Sequence, residues 1–199
     1  YAKSGGQPGD IGKIILDQKE TNIIDTIYDY EKKIMHICEN INNLNSGKKI
    51  KGKIYWESRY KHMRMHSALH LLCSLIPFDV TGGQISYIKS RLDFNIKEDR
   101  IEKNEIEDKI NKFVEDDYEI TYRWITSQEL DNNPELVRTL SVKPPRTNNK
   151  IRLVEIGNID LQPCGGTHVK STIEIGEIKI GKIENKGKMN RRVNLLIND

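Results

Sequence analysis

Apolar and polar residues alternate in short β-prone runs early in the chain, at Ile11–Leu16, Asn22–Tyr28, Lys33–Ile37 and Lys49–Trp56. Alternation with a period of two marks strands with one buried face, and the breaks at Asn42–Gly47 and Gly52 fall where turns are needed. The pattern predicts several antiparallel strands of a small barrel. From Ser58 the period changes. Ser58 can cap a helix that runs to about Ile76, where Pro77 stops it, and Leu69, Leu72 and Ile76 give it an apolar stripe. A second helix is expected over residues 101–116, with Ile106, Ile110, Phe113 and Val114 on one side. Tyr118–Trp124 reads as a strand, Thr126–Leu130 and Pro134–Leu140 as short helical turns, and residues 144–149 as a Pro-Pro loop. Ile151–Ile156 is a further strand, Ile173–Ile183 alternates like a twisted hairpin, and Val193–Ile197 is the last strand. An all-β front followed by an α+β body is the expected architecture.

Size and composition narrow the class. A chain of 199 residues can bury a real core, and 36% hydrophobic against 31% charged residues describes a soluble globular protein. No apolar run approaches the roughly 18 residues that a membrane-spanning helix requires. There is no secretory signal, and because Tyr1 rather than Met opens the sequence, further residues are expected to precede it. Three cysteines (Cys38, Cys73 and Cys164) argue for a reducing cytoplasm rather than a disulfide framework. The net charge of +3 decides little by itself, but it is unevenly spread. Residues 182–192 carry five basic side chains against Glu184, whereas residues 98–117 carry nine acids against four basic residues. Such polarity can orient an RNA ligand.

Most of the chemistry lies in two short pairs, His66-Ser-Ala-Leu-His70 and Cys164-Gly-Gly-Thr-His168, each with its members four apart. On a helix that spacing puts both side chains on one face, and in a glycine loop the backbone can fold to do the same. Three imidazoles and a thiolate suit tetrahedral Zn2+, and one such site would close 93 residues of intervening chain. His62 and Cys73 flank the first pair at similar spacing. Cys73 lies beside leucines as a small buried hydrophobe, and His62 is exposed or supports a ligand. His36 and Cys38 alternate on a strand and pack or face solvent. Zinc proteases place Glu directly after the first His as general base; Ser67 stands there, which excludes that chemistry. No Gly-x-Ser-x-Gly elbow or phosphate-binding loop is present.

With these residues in place, the chain resembles the AlaX family, free-standing relatives of the alanyl-tRNA synthetase editing domain, and its medium-length members most of all. The matching segments are Tyr1–Asp10, His66–His70, Val80–Gln84, Ser90–Phe94, Cys164–His168 and Lys186–Arg192. The resemblance implies an α+β fold: a β-barrel over residues 1–57, N-terminally incomplete for want of a strand before Tyr1, then an α/β editing domain of the threonyl/alanyl-tRNA synthetase type over residues 58–199. It implies a trans-editing hydrolase that deacylates mischarged Ser-tRNA(Ala), and Gly-tRNA(Ala) as well. Zinc would be held by His66, His70, Cys164 and His168, with Gly5 and Gly6 near the pocket mouth. A threonyl-tRNA editing domain and a non-catalytic, zinc-stapled RNA-binding module are the alternatives. The partner is tRNA(Ala) carrying a wrong amino acid, with no membrane; the oligomeric state is left open.

An aminoacyl ester is already activated, so positioned donors and a polarised carbonyl suffice. Backbone N–H groups of Gly165, Gly166 and Thr167 are the expected oxyanion donors. Thr81, with Gln84 second, is the candidate partner for a serine hydroxyl. Lys186, Lys188, Arg191 and Arg192, in a turn around Gly187, are expected to hold the acceptor end of the tRNA.

Overall fold

The computed structural model describes residues 1–42, 44–97, 101–140, 144 and 149–198. Four early strands, β1 (Gly12–Leu16), β2 (Lys19–Tyr28), β3 (Ile34–Cys38) and β4 (Lys51–Ile54), pair antiparallel in the order β3-β2-β1-β4. The β1–β2 hairpin turns through Asp17 and Gln18, both at positive φ, the backbone that a two-residue hairpin loop requires. The barrel expected for residues 1–57 is not formed. Among the described residues this is an open sheet whose outer strands β3 and β4 do not meet, and four strands are too few to curl through the tilt and stagger that closure demands. Ile24, Ile34, Met35, Ile50 and Ile54 stay exposed as a result.

Helix α1 (Trp56–Leu75) begins two residues before Ser58, with Tyr55 at its N-cap and no side-chain capping hydrogen bond. Trp56, expected to end a strand, therefore opens the helix. From Met65 to Cys73 every residue of α1 is buried, so the helix is wrapped on all sides instead of presenting one stripe. It packs against α2 (Lys103–Glu115) and a four-stranded sheet in the order β10-β11-β6-β5, made of β5 (Val80–Gln84), β6 (Lys89–Phe94), β10 (Ile178–Asn185) and β11 (Arg191–Ile197). Leu71, Leu72, Phe94, Ile110, Ile178, Ile180, Val193 and Leu195 fill the space between them.

A third sheet, in the order β7-β8-β9, consists of β7 (Ile120–Thr126), β8 (Lys150–Ile156) and β9 (Asp160–Pro163). Its back is covered by the short helix α3 (Ser127–Asn132), whose Leu130 packs on Ile151 and Leu153. Thr126 and Glu129 close a capping box at the start of α3. The twisted hairpin expected at Ile173–Ile183 is displaced. Thr172–Ile175 is a 3-10 turn, and the hairpin is formed by β10 and β11. Most of the Pro-Pro loop lies outside the described residues, as do Glu98, Asp99 and Arg100 of the acidic run.

Candidate metal centre

Helix α1 supplies His66 and His70 from successive turns, and the loop after β9 supplies Cys164 and His168. One ligand atom from each falls within 4.8 Å of all the others. Cys164 Sγ lies 3.4 Å from His66 Nε2 and 3.3 Å from His168 Nε2. Tetrahedral zinc with ordinary Zn–N and Zn–S bonds separates its ligand atoms by about 3.3–3.6 Å, so these residues fit the ion. His66, His70 and His168 are all buried, and Cys164 is partly so.

The outer contacts fix which ring nitrogen faces the centre. His66 Nδ1 meets Gln7 Oε1 at 2.9 Å, His70 Nδ1 meets Asp160 Oδ2 at 2.7 Å, and His168 Nδ1 meets Ser67 Oγ at 3.2 Å. Each imidazole is thus held through Nδ1 and turned to offer Nε2 inward, the usual way in which metal-binding histidines are oriented. Burial opposes charge on Cys164, yet His66 and His168 draw its thiol well below the usual range, towards the thiolate that a metal needs. Burial also opposes charge on His70, but the Asp160 hydrogen bond and the Cys164 sulfur outweigh it and raise that imidazole to about 10. Burial, with the neighbouring His66, pushes His168 down to about 3.

Gly5 and Gly6 form a tight turn between Ser4 and Gln7, with φ of 54° and 82°, a backbone that suits glycine. The turn docks on β5, where Gly6 O accepts the Ile85 N–H at 2.9 Å. It thereby delivers Gln7, whose Oε1 also accepts the Thr167 N–H at 3.0 Å while its Nε2 donates to Thr167 Oγ1 at 2.8 Å. Gly166 has no room for a side chain, because a Cβ there would stand 2.1 Å from His66 Cε1. Arg152 ties the metal loop to β8 by donating to Cys164 O at 2.8 Å and to Gly166 O.

Of the other expected site residues, Gly166 N–H donates to Cys164 Sγ at 3.4 Å, so two of the three backbone donors in the loop are spent inside the site. Thr81 donates to Asp93 O at 3.1 Å and to Asn190 Oδ1 at 3.3 Å, beside the β10–β11 turn. Gln84 sits next to the Gly6 turn and takes a long contact from Arg91. Arg192 donates to both oxygens of Asp93, at 2.8 and 2.9 Å, and Arg191 reaches Lys97 O at 2.9 Å. Lys186 pairs with Glu184 at 2.9 Å, whereas Lys188 is exposed. Cys73 is buried in the core, where burial pushes its thiol up to about 11. His62 packs on Tyr87 with ring centroids 5.4 Å apart and stands outside the cluster. Gln7, Asp160 and Ser67, the outer partners of the histidines, escaped the sequence reading. Ser67 at least adjoins a ligand, but a lone Gln and a lone Asp give no spacing signal.

Residues 151–194 match the family described as Threonyl and Alanyl tRNA synthetase second additional domain, which is the class that this fold and cluster define. The similarity to whole proteins is broader. The chain is 34% identical to the alanyl-tRNA editing protein AlaX-M of Methanosarcina acetivorans, over 97% of this chain and 83% of that protein. It is 36% identical to AlaX-L of Pyrococcus horikoshii, over 94% of this chain and 46% of that protein. To the alanine–tRNA ligase of Pyrococcus abyssi it is 31% identical, over 92% of this chain but 21% of the ligase. The chain belongs to the AlaX family of alanyl-tRNA editing proteins.

Proposed function

We propose that the protein is a zinc-dependent aminoacyl-tRNA deacylase, acting in trans and in the cytoplasm, that clears Ser-tRNA(Ala) and, more slowly, Gly-tRNA(Ala). The observation that carries this reading is the buried cluster of three imidazoles and one thiolate, held by Gln7, Asp160 and Ser67, in a chain similar to alanyl-tRNA editing proteins. His66, His70, Cys164 and His168 would hold the zinc. When bound, zinc would supply a positive centre to polarise the ester carbonyl or to anchor the free α-amino group.

The chain's own residues account for the remaining work. Gly166 and Thr167 N–H groups are committed within the site, so the Gly165 N–H is the oxyanion donor left from the expected three. Selection of serine against alanine calls for a polar partner, because alanine would then leave a buried donor or acceptor unmatched. Thr81, half-buried with its hydroxyl on Asp93 O, is the first candidate, and the exposed Gln84, beside the turn that carries Gln7 to His66, is the second. The basic contribution to acceptor-stem binding falls chiefly to the exposed Lys188, since Arg192 is engaged by Asp93, Arg191 by Lys97 O and Lys186 by Glu184.

The test is release of serine from Ser-tRNA(Ala) by purified protein, before and after chelation and again after zinc is restored. Chelator-sensitive, zinc-restored hydrolysis is expected, with Ala-tRNA(Ala) and Thr-tRNA(Thr) spared. Tight tRNA binding without hydrolysis would make the protein a zinc-stapled RNA-binding module. Hydrolysis confined to a threonine-system tRNA would move it to the other branch of its domain class.

A further inference from the structure

Antiparallel partners on β7 and β8 share a face of the sheet. Tyr122 stands opposite Val154, Trp124 opposite Arg152, and Thr126 opposite Lys150. This front face is the one that carries Asp160 and Gln162 of β9 towards the metal cluster, while α3 covers the other. Tyr122 lies nearest the centre, its ring 6.5 Å from that of His168. Both aromatic rings nonetheless face solvent, with Tyr122 46% and Trp124 59% exposed. Single exposed aromatics need no explanation. Two in file, leading outwards from a buried metal cluster, are a different matter.

Cations flank them on the neighbouring strand. The Arg152 guanidinium lies 4.8 Å from the centre of the Tyr122 ring, and the same side chain holds Cys164 O and Gly166 O of the metal loop. Lys150 is exposed one register step beyond Trp124. The two acids of this sheet lie elsewhere: Glu155 is on the back face, paired with Arg123 at 3.5 Å, and Asp160 is buried against His70. Glu129 of α3 is engaged at the far edge, accepting from Thr126 N–H and Oγ1 at 2.7 and 2.8 Å. Aromatic faces with flanking cations form the surface that single-stranded nucleic acid prefers. Bases stack on the rings whatever their identity, and phosphates meet the cations.

We propose that the front face of β7–β8, formed by Tyr122 and Trp124 with Arg152 and Lys150, is a stacking platform for the unpaired nucleotides at the 3′ end of the tRNA. The RNA's identity rests on the deacylase reading above; the platform itself rests on exposed aromatics, flanking cations and continuity with the loop of the cluster. The ester is carried by the last nucleotide of that single strand. A platform ending at His168 therefore leads the strand to the centre, and Arg152 couples a filled platform to the loop that holds Cys164.

The probe is an uncharged acceptor-stem RNA helix, with and without its four unpaired 3′ nucleotides, and the readout is fluorescence anisotropy with the full chain. Wild-type protein is expected to bind the intact helix at least tenfold more tightly than the truncated one. Trp124→Ala should lower that ratio by roughly tenfold, as loss of one base–aromatic stack does. Tyr122→Ala should act the same way, and Trp124→Phe should restore most of the ratio. Zinc content checks that the centre survives in each variant. In a Trp56→Phe background, which leaves Trp124 as the only tryptophan, the intact helix should quench the fluorescence and the truncated one should not. An unchanged ratio in Trp124→Ala, or a wild-type protein indifferent to the 3′ nucleotides, overturns the proposal. Because the RNA is uncharged, failure of ester hydrolysis bears on the deacylase reading alone.

Discussion

Gly166 has no freedom to change. A methyl group there would meet His66 Cε1 at 2.1 Å and Nδ1 at 2.4 Å, and neither the helix nor the loop can yield that much without moving a ligand. Gly166→Ala is expected to lose stoichiometric zinc by elemental analysis while the remote β10–β11 hairpin stays folded. The outer partners act more gently. Asp160→Asn and Gln7→Ala remove the groups that hold His70 Nδ1 and His66 Nδ1, and should weaken zinc about 10–100-fold in a competition titration with a chromophoric chelator. Asp93 serves stability instead. Burial works against its charge, but hydrogen bonds from Arg192 and Arg91 hold its carboxyl below the usual range. Its contribution is therefore present above the unfolded carboxyl pKa of about 3.9 and is lost as pH falls through the lower folded value. Asp93→Asn should melt below wild type at pH 7, and the gap should close on acidification below about pH 4. The four residues that the fold brings together are legible as spacings, because a helix turn and a glycine loop both bring residues four apart to one side. Gln7 and Asp160 reach their histidines across 59 and 90 residues of chain, a separation that no local pattern records.

Helix α1 is the element on which everything is mounted. Its buried middle, Met65 to Cys73, carries both metal histidines and the core leucines on opposite sides of one cylinder. Leu72 is fully buried, and Leu72→Ala should cost about 2–5 kcal/mol in denaturant unfolding. The same change should loosen zinc, since the helix shifts as a body. The elements themselves were unequally readable. α2 follows its apolar period from Ile106 to Val114, and β8 follows the apolar residues Ile151, Leu153, Val154 and Ile156, so both were legible within two residues. β5 and β6 were not, because Val80-Thr-Gly-Gly-Gln has the composition of a turn and becomes a strand only through its pairing with Ser90–Phe94. The barrel expectation failed for a related reason. Alternation predicts strands, but whether a sheet closes depends on strand number and stagger, which periodicity does not encode.

For the whole molecule, the metal cluster ties the N-terminal turn, helix α1 and the loop after β9 at one point. Chelation should lower the unfolding free energy by about 3–4 kcal/mol relative to protein in zinc at 100–1,000 times its dissociation constant. His66→Ala should show no further drop on chelation, a difference that calorimetry can read. The arrangement also has a consequence in time. A ribosome releases the chain from its N-terminus, so Gln7 and the two α1 histidines emerge long before Cys164 and His168. Until then the nascent protein offers two of the cluster's four residues, and the fold's many long-range strand pairings wait as well. Capture of an ion by all four residues would therefore wait until the loop after β9 has been made, however early helix α1 is in place.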